Sequence, residues 1–95
     1  MEIESTQNNI TINGNIKTVS DFQNIRLCVD NIVSNHKQIT ITITDSVSIT
    51  SSIIGYLNKL VLKDNIDIQL LIGNEKLMIL LDDLNLKSIF NAQRI

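Results

Sequence analysis

The sequence has no tryptophan, no proline, one cysteine, one histidine and three glycines, and its only aromatic residues are one tyrosine and two phenylalanines. So few aromatics require an interior of aliphatic side chains, and 18 isoleucines are present to build it. The lone Cys28 excludes an internal disulfide, and one Cys with one His cannot make a zinc site. The glycines fit neither a Walker A loop nor a dinucleotide fingerprint. An excess of one charge is missing too. Eight basic and ten acidic residues are scattered along the chain for a net charge of −2. Nothing resembles the footprint of a nucleic-acid binder, an acidic tail or a polybasic membrane patch. Unbroken apolar runs span only a few residues, well short of the ~20 that a membrane helix needs. Met1-Glu2-Ile3-Glu4 lacks the basic segment and apolar stretch of a secretory signal. Without export the Asn9-Ile10-Thr11 sequon has no meaning. The expectation is a cytoplasmic protein with no cofactor, no metal site, no nucleic-acid partner and no direct membrane insertion.

What is present is alternation. The 95 residues allow one domain, 1–95, which buries about 60% of its unfolded surface in one modest core. Ile10 and Ile12 interleave with Asn and Thr. Ile39, Ile41 and Ile43 alternate with Thr40, Thr42 and Thr44. Ile66, Ile68, Leu70 and Ile72 alternate with Asp67, Gln69 and the one apolar exception, Leu71. β-Branched residues with a period of two predict strands. Met1–Ser5, with Met1 and Ile3 on one face, is a fourth and weaker one. A parallel sheet covered on both faces reads as continuous apolar runs. Here the second face is polar, so helices are expected on one face only.

Helical periodicity fills the intervals. Phe22, Ile25, Val29, Ile32 and Val33 share a stripe between Asp21 and Asn35, and Ser20 with Gln23 has capping-box spacing. A second helix is predicted over Ser51–Lys63, burying Ile53, Ile54, Leu57, Leu60 and Val61, with Thr50 or Ser51 as its cap. A third begins near Asn74 and carries Leu77, Leu80, Leu81 and Leu84. Asn85 ends it, because Asn tolerates the left-handed conformation, and Leu86–Phe90 forms a last short turn. The order is β-β-α-β-α-β-α. It implies a two-layer α/β sandwich with a mixed, mostly parallel four-stranded sheet, three to four helices mainly on one face, and the first strand antiparallel at an edge. Asn13-Gly14 is a local hairpin signal, but little room follows it before the first helix. A bend or bulge ending the second strand is the expected outcome.

The material for catalysis is poor. His36 stands alone in the polar connection Asn35-His36-Lys37-Gln38, with no partner at motif spacing. Asp82 and Asp83 are adjacent and cannot both face one site from a helix. Cys28 lies beside the apolar stripe of the first helix as a small hydrophobe. No catalytic residue is assigned, and an enzyme is not expected. The informative segment is Asp45–Leu57, which joins a strand to a helix and carries four serines and one threonine. Such hydroxyls commonly cap helices and fill polar loops. A hydroxyl displayed at a helix N-terminus can also accept phosphate, where free N–H groups and the positive dipole end favour a dianion. The added charge of roughly −1.5 to −2 changes that surface sharply.

In this order and spacing the chain resembles the STAS family of bacterial anti-sigma factor antagonists along nearly its whole length. Ile49-Thr50-Ser51-Ser52-Ile53-Ile54-Gly55 is similar to the family pattern of an apolar residue followed by Asp-Ser-Ser-Gly-Leu-Gly. Ile12-Asn13-Gly14-Asn15-Ile16 resembles the family strand ending in Gly-x-Leu. Leu80–Phe90 resembles the closing helix and its Gly-Leu-x-x-Phe ending, with Asn85 in the glycine's place. The resemblance implies a phosphorylatable partner-switching protein that acts in transcription regulation. The phosphorylation candidates are Ser51 and its neighbour Ser52. The partners implied are a serine kinase of the histidine-kinase-like fold, doubling as the anti-sigma factor, and a metal-dependent serine phosphatase. The docking surface would comprise Gly14, Asn15, Ser48, Thr50, Ser51, Ser52, Tyr56 and Lys59. Two positions depart from the pattern. Thr50 replaces the family's Asp, and Ile53 its first glycine, with the Ile53 side chain expected to turn toward the sheet. The chain stops at Ile95, short of the final strand and helix of longer members. Some STAS domains are constitutive structural subunits of lipid-transport ABC complexes or stressosome-like assemblies, which is the alternative reading.

Overall fold

A computed structural model describes all 95 residues. The elements follow the alternation closely: β1 (Glu2–Thr6), β2 (Asn9–Asn13), α1 (Val19–Val33), β3 (Gln38–Ile43), α2 (Ser51–Leu62), β4 (Asp67–Ile72), α3 (Glu75–Asp83) and β5 (Ala92–Arg94). The strands lie in sequence order across one sheet, β1 antiparallel to β2 and every later pair parallel. Neighbouring parallel strands joined by right-handed crossovers put every crossover on the same side of the sheet. The three helices therefore cover one face. Ile10, Ile12, Ile39, Ile41, Ile43, Ile68, Leu70 and Ile72 point into that layer and are all buried. Thr11, Thr40, Thr42, Gln69 and Leu71, on the other face, stay partly exposed. The 21 buried apolar residues form a single cluster, so there is one core.

The sheet has five strands where four are expected. β5 pairs with β4 through Leu70↔Ala92, Leu71↔Gln93 and Ile72↔Arg94. Three residues containing a single apolar side chain carry no period, so nothing local marks them as a strand. The chain reaches this register because Phe90 is wholly buried and Asn91 turns with φ 48°. The Arg94 guanidinium then donates to the Gly73 carbonyl at 2.8 Å. A closing strand is thus present before Ile95.

A second correction concerns the start of α1. Thr18, not Ser20, is its cap, and the box is completed by Asp21, not Gln23. The Thr18 hydroxyl accepts from the Asp21 N–H at 3.0 Å. The Asp21 carboxylate accepts from the N–H groups of Lys17 and Thr18 at 2.9 and 3.1 Å. An ionised carboxylate makes stronger bonds than an amide oxygen, which favours this earlier register.

The bend at Gly14 and the two asparagines that bound α3 behave as read. The two-residue turn of the β1–β2 hairpin falls at Gln7-Asn8, and Gly14 makes a bend with φ 92° after β2. Asn74 caps α3, accepting from the N–H groups of Lys76 and Leu77. Asn85 is left-handed, with φ 60°. Leu77 and Leu81 are wholly buried and Leu80 is partly buried, but Leu84, expected on the same stripe, is exposed because α3 ends at Asp83 and leaves it at the C-cap. Gly73 holds the C-terminal ends of β3 and β4 together. A Cβ there would lie 1.9 Å from the Thr44 carbonyl oxygen, and the Gly73 N–H donates to the Ile43 carbonyl at 2.8 Å. This close approach anchors the loop that leads into α2.

Candidate functional site

At the C-terminal ends of β2 and β3, two loops are stitched together by side chains. Asn13 Oδ1 accepts from the Thr44 hydroxyl at 2.7 Å. Asp45 Oδ1 accepts from the Gly14 N–H at 2.7 Å. Asn15 Oδ1 accepts from the Val47 N–H at 3.2 Å. Ser46 is the one polar residue in the chain that is wholly buried. Its Oγ accepts from the Ile16 N–H at 3.1 Å and donates to the Ser48 carbonyl at 2.7 Å. A buried hydroxyl with both functions satisfied removes a large desolvation cost and specifies one loop conformation. Gly14 permits the bend, and a Cβ at this position would approach Met1 Cα to 3.1 Å.

The fixed loop delivers the chain to the start of α2. Ile49 is buried and ties down the last residue before the cap. The Thr50 hydroxyl caps the helix by accepting from the Ile53 N–H at 3.3 Å. Ile53 is buried among the core residues, facing the sheet. Ser51 and Ser52, the first two helical residues, are both exposed. No acidic side chain occupies this first turn, so the positive end of the helix dipole and its free N–H groups are uncompensated. Ser52 and Thr50 line a shallow depression of about 160 Å³ with Lys17, Thr18, Val19 and Phe22. Lys17 brings a cation to the margin of the same surface.

Six of the eight sequence-derived docking residues gather here: Gly14, Asn15, Ser48, Thr50, Ser51 and Ser52. Lys59 and Tyr56 lie further along α2. Tyr56 is half-buried between the helices and does not belong to a free outer face. Its ring meets Phe22 edge-on, with centroids 6.1 Å apart at 82°, and its hydroxyl donates to Asp30 Oδ1. Burial first, and then the Asp30 carboxylate, push the phenol well above its ordinary value. Lys59 is exposed and pairs with Asp64 at 3.9 Å. Sequence reasoning missed Lys17, Asp45 and Ser46. Asp45 and Ser46 stood in the serine-rich segment, but their partners lie some 30 residues away, and no short-range pattern encodes that distance.

Chemically, the surface offers hydroxyls, one helix terminus and a lysine. No group of three or more His, Cys, Asp or Glu side chains is placed to hold a metal ion. No helix is long and apolar enough to cross a membrane. No protein-family model, no curated protein and no solved structure matches the chain.

Proposed function

We propose that the protein is a protein-binding switch of the anti-sigma factor antagonist type, acting in the cytoplasm and set by phosphorylation of Ser51 at the start of α2. The observation that carries this reading is the first turn of that helix. Two exposed serines stand there, the cap is supplied by another residue, and no carboxylate neutralises the turn. A phosphate on Ser51 would meet free N–H groups and the positive dipole end, so the fold tolerates the modification. The same charge would alter a surface held rigid by Ser46, Asp45 and Asn15. A partner that fits the unmodified surface therefore loses contact through repulsion and desolvation of the phosphate, without unfolding of the domain.

The implied partner is a small serine kinase of the histidine-kinase-like fold that is sequestered by the unphosphorylated form. A metal-dependent serine phosphatase resets the switch. In this scheme the chain itself performs no chemistry, and its hydroxyl is the substrate. The departures Thr50 and Ile53 favour a second reading, a static subunit of an ABC lipid-transport or stressosome-like assembly. There Thr50 and Ile53 act only as cap and core anchor, and Ser51 carries no signal.

A pull-down from source-cell lysate with wild-type and Ser51→Asp baits separates the two. A small ATPase of the histidine-kinase-like fold retained by wild type alone supports the switch. Incubation of that ATPase with ATP should then add one phosphate to wild type and none to Ser51→Ala. Equal retention of an ABC ATPase or a large assembly by both baits supports the static subunit and refutes the switch.

A further inference from the structure

The opposite edge of the hairpin carries features that the loop surface does not use. β1 is the terminal strand of the sheet and pairs only with β2. Its outward backbone N–H and C=O groups therefore form an open template for another strand. Ile3 stands directly opposite Ile12, so it points toward the helical layer, and Glu2 and Glu4 point to the open face. Both glutamates are exposed, and neither is among the ion pairs of the chain. On the helical side a groove of about 320 Å³ runs between β1 and α1, lined by Met1, Ile3, Asn24, Leu27 and Cys28. Leu27 is 69% exposed and forms the outer apolar wall of this groove.

We propose that β1 accepts an extended segment of another protein as a sixth strand, and that the segment alternates apolar with basic residues. Main-chain bonds to an open edge supply affinity, and alternate side chains supply specificity. The apolar residues would enter the Ile3–Leu27–Cys28 groove while the basic ones meet Glu2 and Glu4 on the other face. The charge argues against a second copy of this chain. Full antiparallel pairing of β1 with itself sets Glu4 directly against Glu4, and like charges directly opposite are destabilising. The site is independent of Ser51 and stands or falls separately from the switch.

The test is a titration of the isotopically labelled protein at low salt with a blocked Val-Lys-Val-Lys-Val-Lys peptide. A Val-Glu alternating peptide and a block Val-Val-Val-Lys-Lys-Lys peptide are the controls. Amide resonances of Glu2–Thr6 and of Asn24, Leu27 and Cys28 should shift, and those of Ser51 and Ser52 should not. Leu27→Gln, or Glu2→Lys with Glu4→Lys, should each weaken binding by about tenfold, the charge effect shrinking as salt rises. All these substitutions are at exposed positions, and the free protein's spectrum reports their folding directly. The proposal is overturned if the block or acidic peptide binds within about twofold of the alternating one. It is equally overturned if the shifts fall away from β1, or if sedimentation shows a dimer of this chain with its β1 amides protected.

Discussion

The N-termini of α1 and α2 begin alike and then diverge. Each is capped by a threonine, Thr18 or Thr50, whose hydroxyl accepts from the N–H three residues on. In α1 that third residue is Asp21, whose carboxylate turns back to two backbone N–H groups. In α2 it is Ile53, which turns down into the core. One position thus serves electrostatics in one helix and packing in the other. α1 is closed by its own charge, whereas α2 is held from below and left electrostatically open above. The proposed phosphorylation of Ser51 draws on that openness.

The largest expected break in this comparison is at Ile53. Ile53→Ala should destabilise the domain by about 2–4 kcal/mol, because it empties a buried site beneath α2. Urea unfolding followed by circular dichroism measures it, and a cost under about 1 kcal/mol would mean that α2 is not anchored there. Thr18→Ala comes next, at about 1–2 kcal/mol, since one change removes a cap and leaves the Asp21 N–H without its acceptor. Thr50→Ala should cost less, about 0.5–1 kcal/mol, because its bond is longer and no reciprocal carboxylate depends on it. If the two threonine variants melt at the same temperature, the asymmetry between the helices is not energetic.

Ser51→Asp should move stability the other way. A negative charge in the first turn of a helix without one adds about 0.3–1 kcal/mol at low ionic strength. The gain should shrink with added salt, and the same experiment on α1, Val19→Asp, should yield less because Asp21 is already present. The smallest effect is the acid response of α1. Backbone N–H bonds from Lys17 and Thr18 hold the Asp21 carboxyl below the ordinary aspartate range. A pKa lowered by folding contributes stability above the unfolded value of about 4 and loses it as pH falls through the folded value. Thermal melts between about pH 6 and about pH 2 should therefore fall less steeply for Asp21→Asn than for wild type.

The parts of the fold that repeat locally are legible in the sequence. Ile39-Thr40-Ile41-Thr42-Ile43 alternates without interruption and became β3 with every isoleucine buried. Asn74 and Asn85 announced the two ends of α3 through their own backbone chemistry. The cap of α1 was harder, because Thr18 with Asp21 and Ser20 with Gln23 both have the spacing and lie two residues apart. β5 was not readable, since Ala92-Gln93-Arg94 contains no alternation and owes its strand geometry to β4. Tyr56 looked like a surface residue of α2, but α1 supplies Phe22 and Asp30 to hold it.

The candidate site divides in the same way. Its hydroxyls and its helix start are contiguous in sequence, so the segment Ile49–Gly55 could be singled out. The rigidity of the loop could not, because it depends on Asn13, Gly14, Asn15 and Ile16 meeting Thr44–Val47 across the β2–β3 pair. The sequence by itself determined the periods, the Asn74 cap of α3 and the aliphatic interior, all of which arise within a few residues. Only the tertiary structure decided the fifth strand, the Ser46 lock, the place of Lys17 beside Ser52 and the open edge at β1. Each of those depends on which distant segments the sheet makes neighbours.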